Sequence, residues 1–108
     1  MRTVKAVAAC ALGASISFFC DKLVAAAKKY DLDLQIETFG VDKVRLMSLD
    51  PYDLVIIAPH VKFHAESIRK RAGTKPVVVI DGLAYATLDA DKMLKELILP
   101  NLKSQMGG

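Results

Sequence analysis

The chain has 108 residues, 53% of them hydrophobic, 6% aromatic and 25% charged, with a formal net charge of +3. That length suits one domain with a core large enough to stand without disulfides, and we expect residues 1–102 to form it, with 103–108 as a frayed tail. The basic residues are scattered without interleaved aromatics, which argues against a nucleic-acid partner, and no run reaches the roughly 20 apolar residues needed for membrane insertion.

The cysteines, Cys10 and Cys20, have neither Cys-x-x-Cys nor Cys/His metal spacing, so the sequence calls for no metal or other cofactor. Both are expected as reduced thiols of a cytoplasmic protein. The apolar stretch from Val4 to Cys20 has the outline of a signal peptide, but Gly13 and the serines interrupt it. Asp21 and Lys22 follow without a small-residue cleavage site.

Apolar runs at Val4 to Ala9, Leu34 to Phe39, Leu54 to Ala58 and Val77 to Ile80 alternate with helical patterns. Such alternation predicts a three-layer α/β domain, a parallel sheet with helices on both faces. After the first run, Ile16, Phe19, Cys20, Leu23 and Ala27 recur at helical spacing, ending near Tyr30. The second run alternates apolar and polar residues, as a half-exposed edge strand does. Val41 to Leu49 is a weaker helix or turn, stopped by Asp50-Pro51.

The third run is continuously apolar and therefore central, ended by Pro59. A helix is expected from about His60 to Arg71, with Gly73 as its stop. Asp81-Gly82 then opens a loop through Thr87. The last helix begins near Asp89, buries Met93, Leu94, Leu97 and Ile98, and kinks or ends at Pro100. Right-handed crossovers give a four-stranded order of 2-1-3-4, with the switch point between the first and third strands, where ligands bind beyond the carboxyl ends.

Cys10 emerges at that point, at the head of Cys10-Ala11-Leu12-Gly13-Ala14-Ser15-Ile16-Ser17. A helix start offers unpaired N–H groups and the positive end of a dipole, which favours a thiolate and an anion beside it. The backbone of Ala11, Leu12, Gly13, Ala14, Ser15, Ile16 and Ser17 is the candidate phosphate cradle, with Cys10 as the nucleophile. His60 and Asp81 to Thr87 flank it. His60 reads either as a site residue or as a surface or capping histidine, and His64 as solvated. Asp81 reads as turn-forming, and Tyr85 either hydrogen-bonds at the site or packs beneath its loop. Cys20 belongs to the apolar stripe.

A cysteine-dependent phosphatase needs an arginine six residues after its cysteine, and that position holds Ile16. Asp50-Pro51-Tyr52 mimics the acid loop of low-molecular-weight phosphatases but precedes the third strand, at the opposite edge of the sheet. A response-regulator receiver is disfavoured because Ala58-Pro59 stands where its aspartate would be. Group retention is thus favoured over hydrolysis. A non-catalytic flavodoxin-like binding module is the remaining alternative.

Three segments together carry a family resemblance: Cys10-x-x-Gly13-x-Ser15, Asp53-Leu54-Val55-Ile56-Ile57-Ala58-Pro59-His60-Val61, and Val79-Ile80-Asp81-x-x-x-Tyr85. Over residues 3–98 the chain resembles the IIB component of the lactose/cellobiose/chitobiose branch of the bacterial sugar phosphotransferase system. The resemblance implies a flavodoxin-like fold, also seen in low-molecular-weight phosphatases, and a phosphocarrier. Cys10 would take a phosphoryl group from a IIA phosphohistidine and pass it to a sugar at the membrane IIC component. The chain departs from the family pattern at Leu12, Ala14 and Ile16, and has His60 where glutamine is usual. Leu12 and Leu83 are candidates for an apolar docking rim.

Overall fold

The structure is a computed structural model that describes residues 2–11 and 16–105, with side chains through residue 102. In chain order it contains β1 (Arg2–Cys10), α1 (Ser17–Ala27), β2 (Leu32–Gly40), α2 (Val41–Leu46), β3 (Leu54–Ile57), α3 (Ala65–Ala72) and β4 (Val77–Val79). Helices α4 (Gly82–Ala86), α5 (Ala90–Met93) and α6 (Leu99–Gln105) complete it. The strands form one parallel sheet in the order β2-β1-β3-β4.

The expected architecture and strand order are therefore present, and the reason is visible in the burial. All residues of β3 are fully buried, so it occupies the sheet interior, whereas β2 has Gln35 and Glu37 exposed and lies at an edge. The chain moves from β1 to β2 in one direction and from β2 across β1 to β3 in the other. Right-handed crossovers then put α1 and α2 on opposite faces. Helix α1 packs against β2 and α5, and α2 packs against β1, β2 and α3. Phe19, Cys20, Leu23 and Ala27 of α1 are buried, as is Ile16 just before it.

Asp53 extends the β1 to β3 pairing by one step at its amino end. Its N–H donates to the Lys5 carbonyl at 2.7 Å, and its carboxylate accepts the Lys5 N–H at 3.1 Å. At the same end of the sheet, Arg71 donates to the Val44 and Met47 carbonyls at 3.1 and 2.6 Å, and Lys75 Nζ to those of Leu49 and Asp50 at 2.6 and 2.9 Å. These cations pin the segment between α2 and β3, which the sequence shows only as a stop at Asp50-Pro51.

The structure corrects several boundaries. The helix expected from His60 begins instead as a 3-10 segment, Pro59–His64, and becomes α-helical only at Ala65. Val61 breaks the helical path, with φ −121° and ψ 23°, while its side chain is buried. The loop expected after Gly82 contains α4, whose N-cap Asp81 accepts the Ala84 N–H at 3.1 Å. Asp81→Ala should cost about 1 kcal/mol, the usual loss for such a cap. Urea denaturation checks this.

Pro100 does not end the last helix, which continues as α6. It lacks an N–H and its ring would crowd the Glu96 carbonyl in a regular helix. A wider π-helical turn, Leu94–Ile98, precedes it, with the Leu99 N–H bonded five residues back to the Leu94 carbonyl. Met93, Leu94, Ile98 and Leu102 stay buried through this passage, with Leu97 partly so. The backbone of α6 reaches Gln105, so the first part of the expected frayed tail is helical.

Tyr52 is 5% exposed and its hydroxyl donates to Glu37 Oε1 at 2.6 Å. Burial first, then the Glu37 hydrogen bond and charge, push its phenol from 10.0 up to about 12. The folded state thus holds this proton more tightly than the unfolded chain does. Its contribution is complete below pH 10 and is lost as pH rises towards 12. Tyr52→Phe should flatten that part of the dependence of the urea midpoint on pH. The buried Cys20 thiol, raised from 9.0 to about 12, contributes a separate decline that the variant retains.

Candidate functional site

Strand β1 runs further than β3 at its carboxyl end. Its last pair with β3 is Ala9 with Ile57, and the Ala58 N–H closes the ladder on the Ala9 carbonyl at 2.9 Å. Cys10 pairs only with Gly40 of β2. The chain after β3 turns away at Pro59, because proline fixes φ and cannot continue the ladder. The β1 to β3 ladder is left open at the switch point beside Cys10, whose side chain is itself buried. Helix α1 begins at Ser17 on the same edge, so its N-terminal end and the end of β1 flank one loop.

Into that opening the Pro59–His64 segment brings His60. The Ala11 N–H, directly after Cys10, donates to His60 Nε2 at 3.3 Å. Accepting this bond requires a ring nitrogen without a proton. The imidazole is 6.0 Å, centroid to centroid, from the Tyr85 ring, which is in turn 5.5 Å from Phe19 beneath it. The Tyr85 hydroxyl is buried and has no hydrogen-bond partner among the described residues. Phe19, Tyr85 and His60 thus form a chain of tilted ring contacts, at 46° and 53°, from the core to the Ala11 N–H.

Helix α4 carries Tyr85 into this chain of rings and presents Leu83 outwards, 70% exposed. Two other segments leaving the carboxyl edge also expose an aromatic ring: Phe18 in the first turn of α1, at 66%, and Phe63 in the 3-10 segment, at 74%. Of these segments α4 and the 3-10 turn pack together, and exposed large apolar groups such as Leu83 and Phe63 on adjoining segments are characteristic of a contact surface. His64 is half-buried, its ring 4.3 Å from that of Phe63 and tilted by 42° to it, rather than being simply solvated.

Of the candidate cradle, Ala11, Ile16 and Ser17 are described, whereas Leu12, Gly13, Ala14 and Ser15 lie outside the described residues. Cys10 and Ile16 are buried, Ser17 is half-buried and Ala11 is exposed. Cys20 is buried too. Desolvation chiefly, with the charge of Asp21 and then the nearby Cys10 adding to it, raises its thiol to about 12, so it is not a nucleophile near neutrality. Asp50 is exposed before β3, at the amino edge of the sheet, and Cys10 ends β1 at the carboxyl edge. An acid at Asp50 therefore cannot serve a reaction at Cys10. Among the described residues, no group of three or more His, Cys, Asp or Glu side chains is placed to hold a metal ion, and no helix is long and apolar enough to cross a membrane.

Two signals of the site are absent from the linear pattern. The Ala11 to His60 bond joins residues far apart in the chain, and the exposure of Phe18 and Phe63 beside buried neighbours is set by how their segments pack. Leu83 alone had a sequence cue, in its loop beside the switch point.

A parallel sheet of order 2-1-3-4, flanked by helices and ending its first strand in a cysteine at the switch point, defines a flavodoxin-type α/β domain. The fold is that of solved IIB domains. The structure of the lactose-specific IIB component domain of the phosphoenolpyruvate:carbohydrate phosphotransferase system from Streptococcus pneumoniae matches with a TM-score of 0.69 at 20% identity, covering 93% of this chain and 98% of that one. The solution structure of the cellobiose-specific phosphotransferase IIB component protein from Borrelia burgdorferi matches with a TM-score of 0.66 at 22% identity, covering 92% of each.

The sequence model of the family described as PTS system, lactose/cellobiose-specific IIB subunit, matches residues 5–96. The chain belongs to this family, and its role lies in sugar phosphotransfer within the phosphotransferase system. IIB subunits work with IIA and IIC components.

Proposed function

We propose that this protein is a phosphocarrier on the cytoplasmic side of the membrane, accepting a phosphoryl group on Cys10 from a IIA phosphohistidine and passing it to a sugar at IIC. The observation that carries the reading is the position of Cys10 at the end of β1, with the Ala11 N–H at the switch point and the start of α1 on the same edge. Helix-end N–H groups and dipole favour a phosphoryl anion there.

In the first transfer, Cys10 Sγ attacks phosphorus in line. The S–P bond forms as the donor's N–P bond breaks, its electron pair returns to the donor imidazole, and that ring takes the proton lost by the thiol. In the second, a sugar hydroxyl oxygen attacks the same phosphorus. The S–P bond breaks, and the proton given up by the hydroxyl returns to the thiol. Loop N–H groups from Ala11 to Ser17 would stabilise charge on the equatorial oxygens in both steps. The proposed sugars are disaccharides of the cellobiose, chitobiose or lactose class.

Position Ile16, fully buried, supplies no guanidinium to speed attack by water. Intact-mass measurement after incubation with phosphorylated IIA should show one added phosphate. No adduct from several competent IIA proteins would refute the carrier, and sustained turnover of an aryl phosphate would favour a hydrolase instead.

The exposed Phe18, Phe63 and Leu83 supply an apolar rim for docking IIA and IIC in turn. Phe63→Asp and Leu83→Asp should each slow phosphoryl uptake by about tenfold or more, the scale of an interface anchor. Circular dichroism should remain unchanged. Uptake at the wild-type rate in both would remove this surface from the reading.

A further inference from the structure

His60 holds the N–H that a phosphoryl group on Cys10 would need first. Ala11 follows Cys10 directly, and its N–H donates to His60 Nε2 at 3.3 Å. For a neutral imidazole that geometry puts the ring proton on Nδ1 and a lone pair on Nε2, facing the cysteine loop. Beside the ring, 6.0 Å from its centroid, is that of Tyr85, whose buried hydroxyl has no partner among the described residues. A donor that is both buried and unpaired is costly, and it marks a place where an acceptor is missing.

Resting on the carrier reading, we infer that His60 is a positioning residue with two states: it holds the Ala11 N–H in the unloaded protein, and on loading yields it to the phosphoryl oxygens while binding a proton at Nε2. An N–H cannot serve both acceptors at full strength. The phosphoryl group is the stronger one, because hydrogen bonds to ionised oxygens exceed those to a neutral nitrogen. Once the N–H is taken, the Nε2 lone pair is left facing an anion, and a proton from solvent converts that repulsion into a donated hydrogen bond. No bond to phosphorus is made or broken by His60, and the proton returns to solvent when the phosphoryl group leaves.

The titratable and charged groups on the elements packed against this segment are Arg2, Lys5 and Cys10 on β1, Glu66, Arg69, Lys70 and Arg71 on α3, Asp81 and Tyr85 on or next to α4, and Lys62 and His64 on the same 3-10 segment. The Asp81 carboxylate already caps α4, and the His64 ring packs at a tilt against Phe63. A dianion on Cys10 would therefore be the main new charge next to the His60 ring.

The test uses the full chain labelled with nitrogen-15 in histidine and in the backbone, before and after loading by phosphorylated IIA, with intact mass reporting the adduct. In the unloaded protein His60 Nε2 should give the signal of an unprotonated acceptor, and His60→Leu should shift the Ala11 amide. On loading, the His60 Nε2 signal should change to that of a protonated nitrogen, while the His64 signals stay in place. His60→Gln retains an acceptor and a donor on one amide and should load at near the wild-type rate. His60→Leu should load roughly 10- to 100-fold more slowly, the scale of one hydrogen bond to a charged group.

An adduct formed with Nε2 still unprotonated and the Ala11 amide unmoved overturns this inference alone. Failure to form any adduct overturns the carrier reading, and the inference with it. Equal loading rates for His60→Leu and the wild type would also overturn it, since a residue that only fills space has no claim on the rate.

Discussion

Cys10→Ser is expected to lower phosphoryl transfer to sugar by ~10³-fold or more, because a hydroxyl at the same place lacks the thiolate's nucleophilicity. Cys20→Ala should transfer at the wild-type rate and lose only about 1 kcal/mol of stability, as a modest core truncation does. The contrast is decisive because both thiols are buried and both lie near the start of α1. Cys20 is within the helix, with its thiol raised to about 12 by burial and neighbouring negative charge. Cys10 ends a strand at the sheet switch point. Transfer in a reconstituted system with IIA, IIC and sugar measures both variants, and activity in Cys10→Ser would end the assignment of Cys10.

Phe19→Ala should destabilise the protein by about 3–5 kcal/mol, a large share of the roughly 5–15 kcal/mol available to a domain of this kind. The adjacent Phe18→Ala should stay within about 0.5 kcal/mol. Phe19 is fully buried, and its ring supports Tyr85 at 5.5 Å, whereas Phe18 is 66% exposed. The melting temperature should drop by on the order of 15 °C in Phe19→Ala. Since Phe19 supports Tyr85, whose ring contacts His60 in turn, phosphoryl uptake should fall as well, below the unfolding transition. A Phe19→Ala protein as stable as the wild type would show that this ring chain is not part of the core.

Much of the fold was legible because local chemistry and global position agree. The run Leu54 to Ile57 reads as a central strand, and it is one, since only a strand covered on both faces tolerates unbroken apolar side chains. The stripe of Phe19, Cys20, Leu23 and Ala27 reads as a buried helix face for the same reason. The misses share a cause as well. Helix α4 runs only from Gly82 to Ala86, too short to show a period, and the Asp81-Gly82 pair that suggests a turn also caps it. At Pro100 the local rule for proline holds in a regular helix, but the π-helical turn before it removes the clash on which that rule depends.

The sequence by itself determined the class of the molecule: a parallel α/β domain with one cysteine at the head of a strand-to-helix loop, no arginine six residues on, and a second cysteine in the core. Those features follow from residue type and spacing, which are local. Tertiary structure alone decided what surrounds Cys10. The Ala11 N–H meets His60, and His60 approaches Tyr85, only because β3 ends earlier than β1 and the chain after it turns at Pro59 into the gap. Contacts between residues so distant in the chain depend on the register of strands, and register is a property of the assembled sheet.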